Sequence, residues 1–231
     1  CGALLPIAAS VDVADTLSVV EQRRYEYYFL EAECLEQQGR YDEAFEMLNH
    51  CLAICPTAPS ALYKMSNYYM VLNQKDKALD VLEQAVEATP TNYWYKQTLA
   101  SHFRKRGENE KAVEVIEEIV DRFPSRLEPL MELVDLYARL ENYGKVIHSL
   151  DRLEKLDGKS EQISMEKFRI YLQMGDSERA FTEIENLVKE YPFEMRYLTM
   201  LGDVYLENGR NEEAYSTFQK VLKEEPGYAP A

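Results

Sequence analysis

A period of 34 residues constrains this chain more than any other feature of its sequence. Its first mark is a short run closing on a small residue: Asp42-Glu43-Ala44, Asp76-Lys77-Ala78, Glu110-Lys111-Ala112, Gly144-Lys145-Val146, Glu178-Arg179-Ala180 and Glu212-Glu213-Ala214. Five residues before each small residue stand Gly39, Asn73, Gly107, Glu141, Gly175 and Gly209. Twelve residues after it stand Pro56, Pro90, Pro124, Gly158, Pro192 and Pro226. Three marks of different chemistry hold one spacing through six copies with no insertion, so the chain is an array of one small unit.

Each mark has a mechanical reason. Glycine or asparagine after a helix permits the left-handed backbone that ends it. Alanine suits the point where two antiparallel helices approach most closely. Proline cannot continue a helix and biases its predecessor away from helical angles, so it separates one unit from the next. Between the marks, apolar residues recur at helical spacing. In the last copy Leu198, Leu201, Gly202 and Tyr205 share one helix face, and Ala214, Phe218 and Val221 share another. The expectation is an all-α fold, an α-solenoid of antiparallel helix pairs. With 46% apolar residues the chain can form a core, and 9 Gly and 9 Pro among 231 residues suit long helices joined by short turns.

At these positions the chain resembles the tetratricopeptide repeat family. That pattern sets a bulky residue, Leu, a small residue and Tyr on the first helix, then Ala, an aromatic, Ala and Pro on the second. The last copy follows it with Leu201, Gly202, Tyr205, Ala214, Phe218 and Pro226, and the third with Leu99, Ala100, Phe103, Ala112 and Pro124. The second carries Tyr69, Ala78, Ala85 and Pro90, and the first Ala32, Ala44 and Pro56. The resemblance covers residues 25–228, in copies 25–58, 59–92, 93–126, 127–160, 161–194 and 195–228. A lead-in over 1–24, including the start of the first helix, precedes them, and 229–231 reads as the start of a seventh copy. The family implies a right-handed superhelix that binds proteins without catalysis.

Copies four and five depart from the pattern. Val134 and Val146 occupy the two small positions of copy four, Gly158 replaces its proline, and Phe168 stands where copy five should be small. Larger groups at close-approach sites widen helix spacing, because interiors are packed too densely to absorb a ring without movement. A bend between copies four and five is therefore expected, with compensation by neighbouring side chains as the alternative.

The two ends carry their own signals. Cys1-Gly2-Ala3-Leu4-Leu5-Pro6-Ile7-Ala8-Ala9-Ser10 is a short apolar stretch ending in small residues. It reads as the tail of a secretory signal, as a mature bacterial lipoprotein beginning at a lipid-bearing Cys1, or as an apolar lead-in covering the first repeat. A periplasmic, secreted or outer-membrane lipid-anchored location is expected, with the cytoplasm as the alternative. At the other end Pro226-Gly227-Tyr228-Ala229-Pro230-Ala231 resembles Pro56-Thr57-Ala58-Pro59-Ser60-Ala61, the beginning of the second copy. A longer protein is expected, or an uncapped last repeat that makes end-to-end contact with another copy of the chain.

Charge and motif content narrow the function. With 26 Lys+Arg against 41 Asp+Glu the net charge is −15, which opposes sequence-independent binding to nucleic acid or to an anionic membrane. No apolar run approaches the roughly 20 residues of a transmembrane helix. His50, His102 and His148 fall in different copies, and no phosphate-cradling glycine loop, nucleophile elbow or His-Glu-x-x-His helix occurs. Cys34, His50, Cys51 and Cys55 gather in the first copy, with Cys51 and Cys55 one helical turn apart, a spacing that could suit a soft metal. Cys51, however, holds a buried small-residue position, where cysteine serves as a small apolar group. Core packing is expected, with a Cys34–Cys51 disulfide and a metal as alternatives. No enzyme, cofactor or metal site is expected.

The expected function is a protein-interaction scaffold that holds an extended or helical peptide against the first helices of successive copies. Phased by the family pattern, the open stripe of those helices carries Phe29 in copy one and Tyr63, Asn67 and Met70 in copy two. Trp94, Gln97, Arg104 and Lys105 follow in copy three, Met131 and Arg139 in copy four, Met165 and Arg169 in copy five, and Arg196 in copy six. Aromatic residues and methionine are typical of contact surfaces, and arginine's planar fork favours carboxylates. The partner is therefore expected to bring both apolar and acidic side chains. A clamp for a C-terminal carboxylate, which the family builds with Lys and Asn, is disfavoured because copy one offers Phe29 and Glu33 at those places. The alternative function is a regulatory or docking arm of a larger enzyme or envelope assembly whose active part lies beyond residue 231.

Overall fold

A computed structural model describes residues 17–227, so the expectations about Cys1–Ser10 and about residues 229–231 lie outside the described residues. Twelve helices and no strand occur among them. They are α1 (Val19–Gln37), α2 (Tyr41–Ile54), α3 (Pro59–Val71), α4 (Lys75–Ala88), α5 (Tyr93–Arg106) and α6 (Asn109–Arg122), then α7 (Glu128–Arg139), α8 (Tyr143–Asp157), α9 (Glu161–Met174), α10 (Ser177–Glu190), α11 (Met195–Glu207) and α12 (Asn211–Glu224). The even-numbered helices begin at residues 41, 75, 109, 143, 177 and 211, one every 34 residues.

The turns inside the pairs explain why the period is kept. Gly39, Asn73, Gly107, Glu141, Gly175 and Gly209 all have φ between 54° and 77°. The next amide reaches back five residues each time: Arg40 to Leu35, Gln74 to Tyr69, Glu108 to Phe103, Asn142 to Tyr137, Asp176 to Tyr171 and Arg210 to Tyr205. This closure satisfies carbonyls that a helix end leaves open. Glu141 adopts it without glycine, at a cost of about 1 kcal/mol.

The carbonyl that accepts this bond belongs, in five of the six turns, to an aromatic residue with a cation stacked on it. Lys77 lies over Tyr69 at 5.8 Å, Lys111 over Phe103 at 5.3 Å, Lys145 over Tyr137 at 4.9 Å and Arg179 over Tyr171 at 5.8 Å. In copy six Glu213 stands at the position of the cation, and Arg210 covers Tyr205 instead, at 4.5 Å. In copy one Leu35 replaces the ring and Glu43 replaces the cation, so both partners of the contact disappear together. The contact contributes about 0.5–1 kcal/mol at exposed sites.

The chain divides into two compact units at Ile119 and Val120. In the first, α1 packs on α2, α2 on α3, α3 on α4 and α4 on α5. Tyr25, Phe29, Ala32 and Leu35 of α1 form one core with Ala44, Leu48 and Cys51 of α2 and with Ala61 and Met65 of α3. Cys51 donates its thiol to the Tyr25 carbonyl at 3.7 Å, and burial pushes that thiol up to about 12. Cys34 is exposed, Cys51 and Cys55 are buried, and all three are unbridged, so Cys51 and Cys55 act here as small core residues.

His102 of α5 is 5% exposed, and burial, followed by the nearby Lys105 charge, pushes its imidazole below the usual histidine range. Its folded pKa is thus depressed relative to the unfolded chain, which takes up the proton first as the pH falls. The stability it contributes is complete above about pH 6.5 and is lost as the pH drops from there towards the folded value. His102→Leu, the residue that copy four carries at this place as Leu136, should therefore lose less stability than the parent between pH 7.5 and 5.5. Urea midpoints at the two pH values measure this, and equal losses in both proteins would contradict it.

In the second unit α7 packs on α8, α8 on α9, α9 on α10, α10 on α11 and α11 on α12. Val146 and Phe168, the large residues at small positions, are both buried. Gly158 ends α8 at φ 92°, and the Ser160 hydroxyl caps α9 by accepting from the Ile163 amide at 3.2 Å. Lys167 of α9 is buried and bonds Asp151 at 2.6 Å and Glu154, both on α8, so a shielded cation ties the helices on either side of the copy four–five junction.

Candidate protein-binding face

Side chains that packing does not need mark the open helices of each unit. Val71 of α3 is 86% exposed, Trp94 of α5 66% and Met131 of α7 61%, and Leu172 of α9 and Leu206 of α11 are also open to solvent. All five sit on first helices of pairs, whereas α4, α6 and α10 expose no large apolar side chain. Leaving such groups in water forgoes burial worth roughly 1.5–3 kcal/mol each, which α4, α6 and α10 do not forgo, although Tyr41 of α2, Leu156 of α8 and Tyr215 and Leu222 of α12 are also exposed.

In the first unit the predicted residues separate into anchors and core. Trp94 stands on the first turn of α5, where the Asn92 side chain accepts from its amide at 3.0 Å, and it meets the Tyr93 ring edge-on at 5.1 Å. Asn67 is exposed and Met70 half-buried on α3. Tyr63 is half-buried, stacked on Tyr95 at 4.7 Å, with its hydroxyl 3.3 Å from Thr98 Oγ1. Gln97 of α5 is half-buried, and Arg104 and Lys105 are exposed on the last turn of that helix. Phe29, expected on the open stripe, belongs instead to the core at 5% exposure. Tyr25 stacks on it at 5.9 Å, and Lys64 of the next copy lies over its ring at 5.8 Å.

The second unit corrects the expected basic strip. Arg139 forks onto Asp135 at 2.9 and 3.3 Å, Arg169 reaches Glu166 at 3.5 Å, and Arg196 bonds Glu161 and the Tyr197 hydroxyl. Acids three or four positions earlier on the same helix, or on the preceding first helix, compensate these charges. This unit also leaves apolar side chains open on its first helices, with Met131, Leu172, Met174 and Leu206 exposed and Met165 half-buried.

A cleft of about 420 Å³ opens between the ends of α1 and α3, lined by Glu36, Gln37, Tyr41, Asn67, Tyr68 and Val71. Lys64 bonds the lining residue Glu36 at 2.7 Å and its neighbour Glu33 at 3.4 Å. The Tyr68 hydroxyl donates to Glu36 at 3.0 Å, and burial together with that carboxylate holds the phenol far above its usual range. Tyr41 and Tyr68 escaped the sequence reading because neither lies on the stripe of a first helix that the repeat pattern marks as open. The contact is made by the start of α2 and the flank of α3.

Among the described residues no three His, Cys, Asp or Glu side chains gather to hold a metal ion, and no helix is long and apolar enough to cross a membrane.

Comparison with known proteins agrees with this geometry. Two tetratricopeptide repeat family patterns match, one over residues 35–100 and the other over 8–59 and 165–229. A solved tetratricopeptide repeat protein from Parabacteroides merdae ATCC 43184 shares 20% identity at a TM-score of 0.57, covering 87% of this chain and 80% of its own. A chain of the Naa15/Naa10 complex bound to HypK-THB superposes with a TM-score of 0.67 at 18% identity, over 90% of this chain and 32% of its own. YrrB, described as a TPR protein with an unusual peptide-binding site, gives 0.51 at 12% identity, over 79% of this chain and 94% of its own. At these identities the likeness is one of fold. No curated protein sequence matches the chain.

Proposed function

The chain belongs to the tetratricopeptide repeat family, and from that premise we propose that its first helices hold an extended or helical segment of a partner protein. The family makes it a protein-interaction scaffold. The observation that carries the finer reading is the confinement of exposed large apolar side chains, from α3 to α11, to the first helices, apart from Leu156 of α8 and the loop residues Leu72 and Phe193. Trp94 is the anchor of the first unit, because a large exposed ring loses little conformational freedom when a partner covers it. Arg104 and Lys105, exposed on the last turn of the same helix, suit acidic groups on the partner, and in the second unit, where Arg139, Arg169 and Arg196 pair with acids, apolar contact is the chief contribution.

Crosslinking in the cell that makes the protein, followed by identification of the bound species, supplies the partner segment for a direct test. Trp94→Ala combined with Arg104→Glu should weaken its binding by at least about 30-fold, the equivalent of ~2 kcal/mol for one anchor of this type. Helicity should be unchanged, since Trp94 packs on little besides Tyr93. Unaltered affinity in that variant would sink the reading.

A further inference from the structure

The geometry points to the cleft between α1 and α3 as a pocket for one basic side chain of the partner, arginine in preference to lysine. This rests on the reading of the first helices as a partner-binding face, and it adds the chemistry of one subsite to it.

Charge counting gives the first reason. Glu33 and Glu36 share the single ammonium of Lys64, at 3.4 and 2.7 Å, so two carboxylates meet one cation and a unit of negative charge is left over. None of the six residues lining the cleft is basic. Each carboxylate is still about a quarter exposed and keeps lone pairs for a further donor.

Shape and surface give the second. At about 420 Å³ the cleft has the size of a small ligand pocket, enough for a long side chain. Tyr41, which is largely exposed, and Tyr68 present ring surface, and Val71 presents an apolar wall. A guanidinium is planar, weakly hydrated, stacks on aromatic rings and forks onto carboxylates, while its methylene stem tolerates apolar contact. Gln37 and Asn67 add amide oxygens that can accept from its remaining N–H groups. A partner carboxylate would instead meet Glu36 and Glu33 with only an already shared Lys64 to receive it.

The test uses the 231-residue chain with three capped tripeptides of the form Gly-X-Gly, in which X is Arg, Lys or Glu, followed by NMR of the Gln37 and Asn67 side-chain amides. The arginine peptide should shift both amides in a saturable way, the lysine peptide several-fold more weakly, and the glutamate peptide not at all. The arginine shifts should shrink as salt is raised. Glu33→Gln with Glu36→Gln should weaken the arginine peptide tenfold or more. Lys64→Met, which removes the competing ammonium, should tighten it, and this opposite sign separates a cation pocket from a general loss of structure. Equal shifts with the glutamate peptide, no saturable shift with the arginine peptide, or weaker arginine binding in Lys64→Met would each overturn the assignment. The peptide comparison on the unaltered chain requires no variant to fold. Retained tripeptide binding with an unaffected Trp94→Ala partner complex would sink the partner-face reading alone, and the reverse pattern would sink the pocket alone.

Discussion

Replacing Gly202 by phenylalanine is expected to destabilise the last helix pair by about 3 kcal/mol, and adding Phe218→Ile to the same chain should recover most of that loss. Gly202 is buried in α11, and a Cβ built there would lie 2.5 Å from Phe218 Cε1 and 2.7 Å from Cζ of α12. The ring of the second helix fills the space that the missing side chain leaves on the first. One period earlier the sizes are exchanged: Phe168 stands at the position of Gly202 and Ile184 at that of Phe218, and both are buried. The double variant therefore writes the copy-five solution into copy six. Amide exchange in α11 and α12 is the suitable measurement, because stability in a repeat array is local and a global midpoint would dilute the effect. A double variant no more stable than Gly202→Phe alone would show that the two positions do not trade volume.

Asp151→Asn with Glu154→Gln should cost about 3 kcal/mol in the second unit, while Lys167→Met should cost less than half as much. Lys167 is buried, and its ammonium depends on the two acids of α8 for its charge balance. Removing them leaves a shielded cation whose other neighbouring carboxylate, Glu183, is a poor substitute. Burial holds the Glu183 carboxyl above its usual range, which means that its charged form is already disfavoured. Removing the lysine instead leaves Asp151 largely exposed and Glu154 partly so, and water can solvate both. The two experiments differ in sign of the orphaned charge and in its access to water. Urea unfolding of both variants decides it, and a larger loss in Lys167→Met would reverse the account.

Much of the architecture was legible because its determinants are local. The turn marks at Gly39 through Gly209 predict a left-handed residue, and each has one, Glu141 included. The resemblance to the tetratricopeptide repeat family drawn from those marks is matched by the family patterns. The place of Cys51 in the period marks it as a small core residue, and it is buried and unbridged. The binding face was less legible. Phe29, Tyr63, Gln97, Met131, Met165 and Thr199 occupy one position of the period, yet burial runs from 5% exposed at Phe29 through half-buried to 61% at Met131, and back to buried at Thr199. No repeat pattern could order that series, because cover comes from the neighbouring copy. Lys64 closes over Phe29, while Met131 is left open.

The charges divide in the same way. Arg104, Lys105, Arg139, Arg169 and Arg196 read as one basic strip in sequence, but Arg196 reaches Glu161, which lies 35 residues away on another helix. The amino-acid order by itself determined the helices, their turns and the period, since hydrogen bonds, left-handed caps and apolar spacing act within a few residues. The tertiary structure decided which side chain of a helix face is open and which charge is already matched. Successive residues point about 100° apart around a helix, so whether one of them meets water or a neighbour depends on the size and charge of groups a full repeat away.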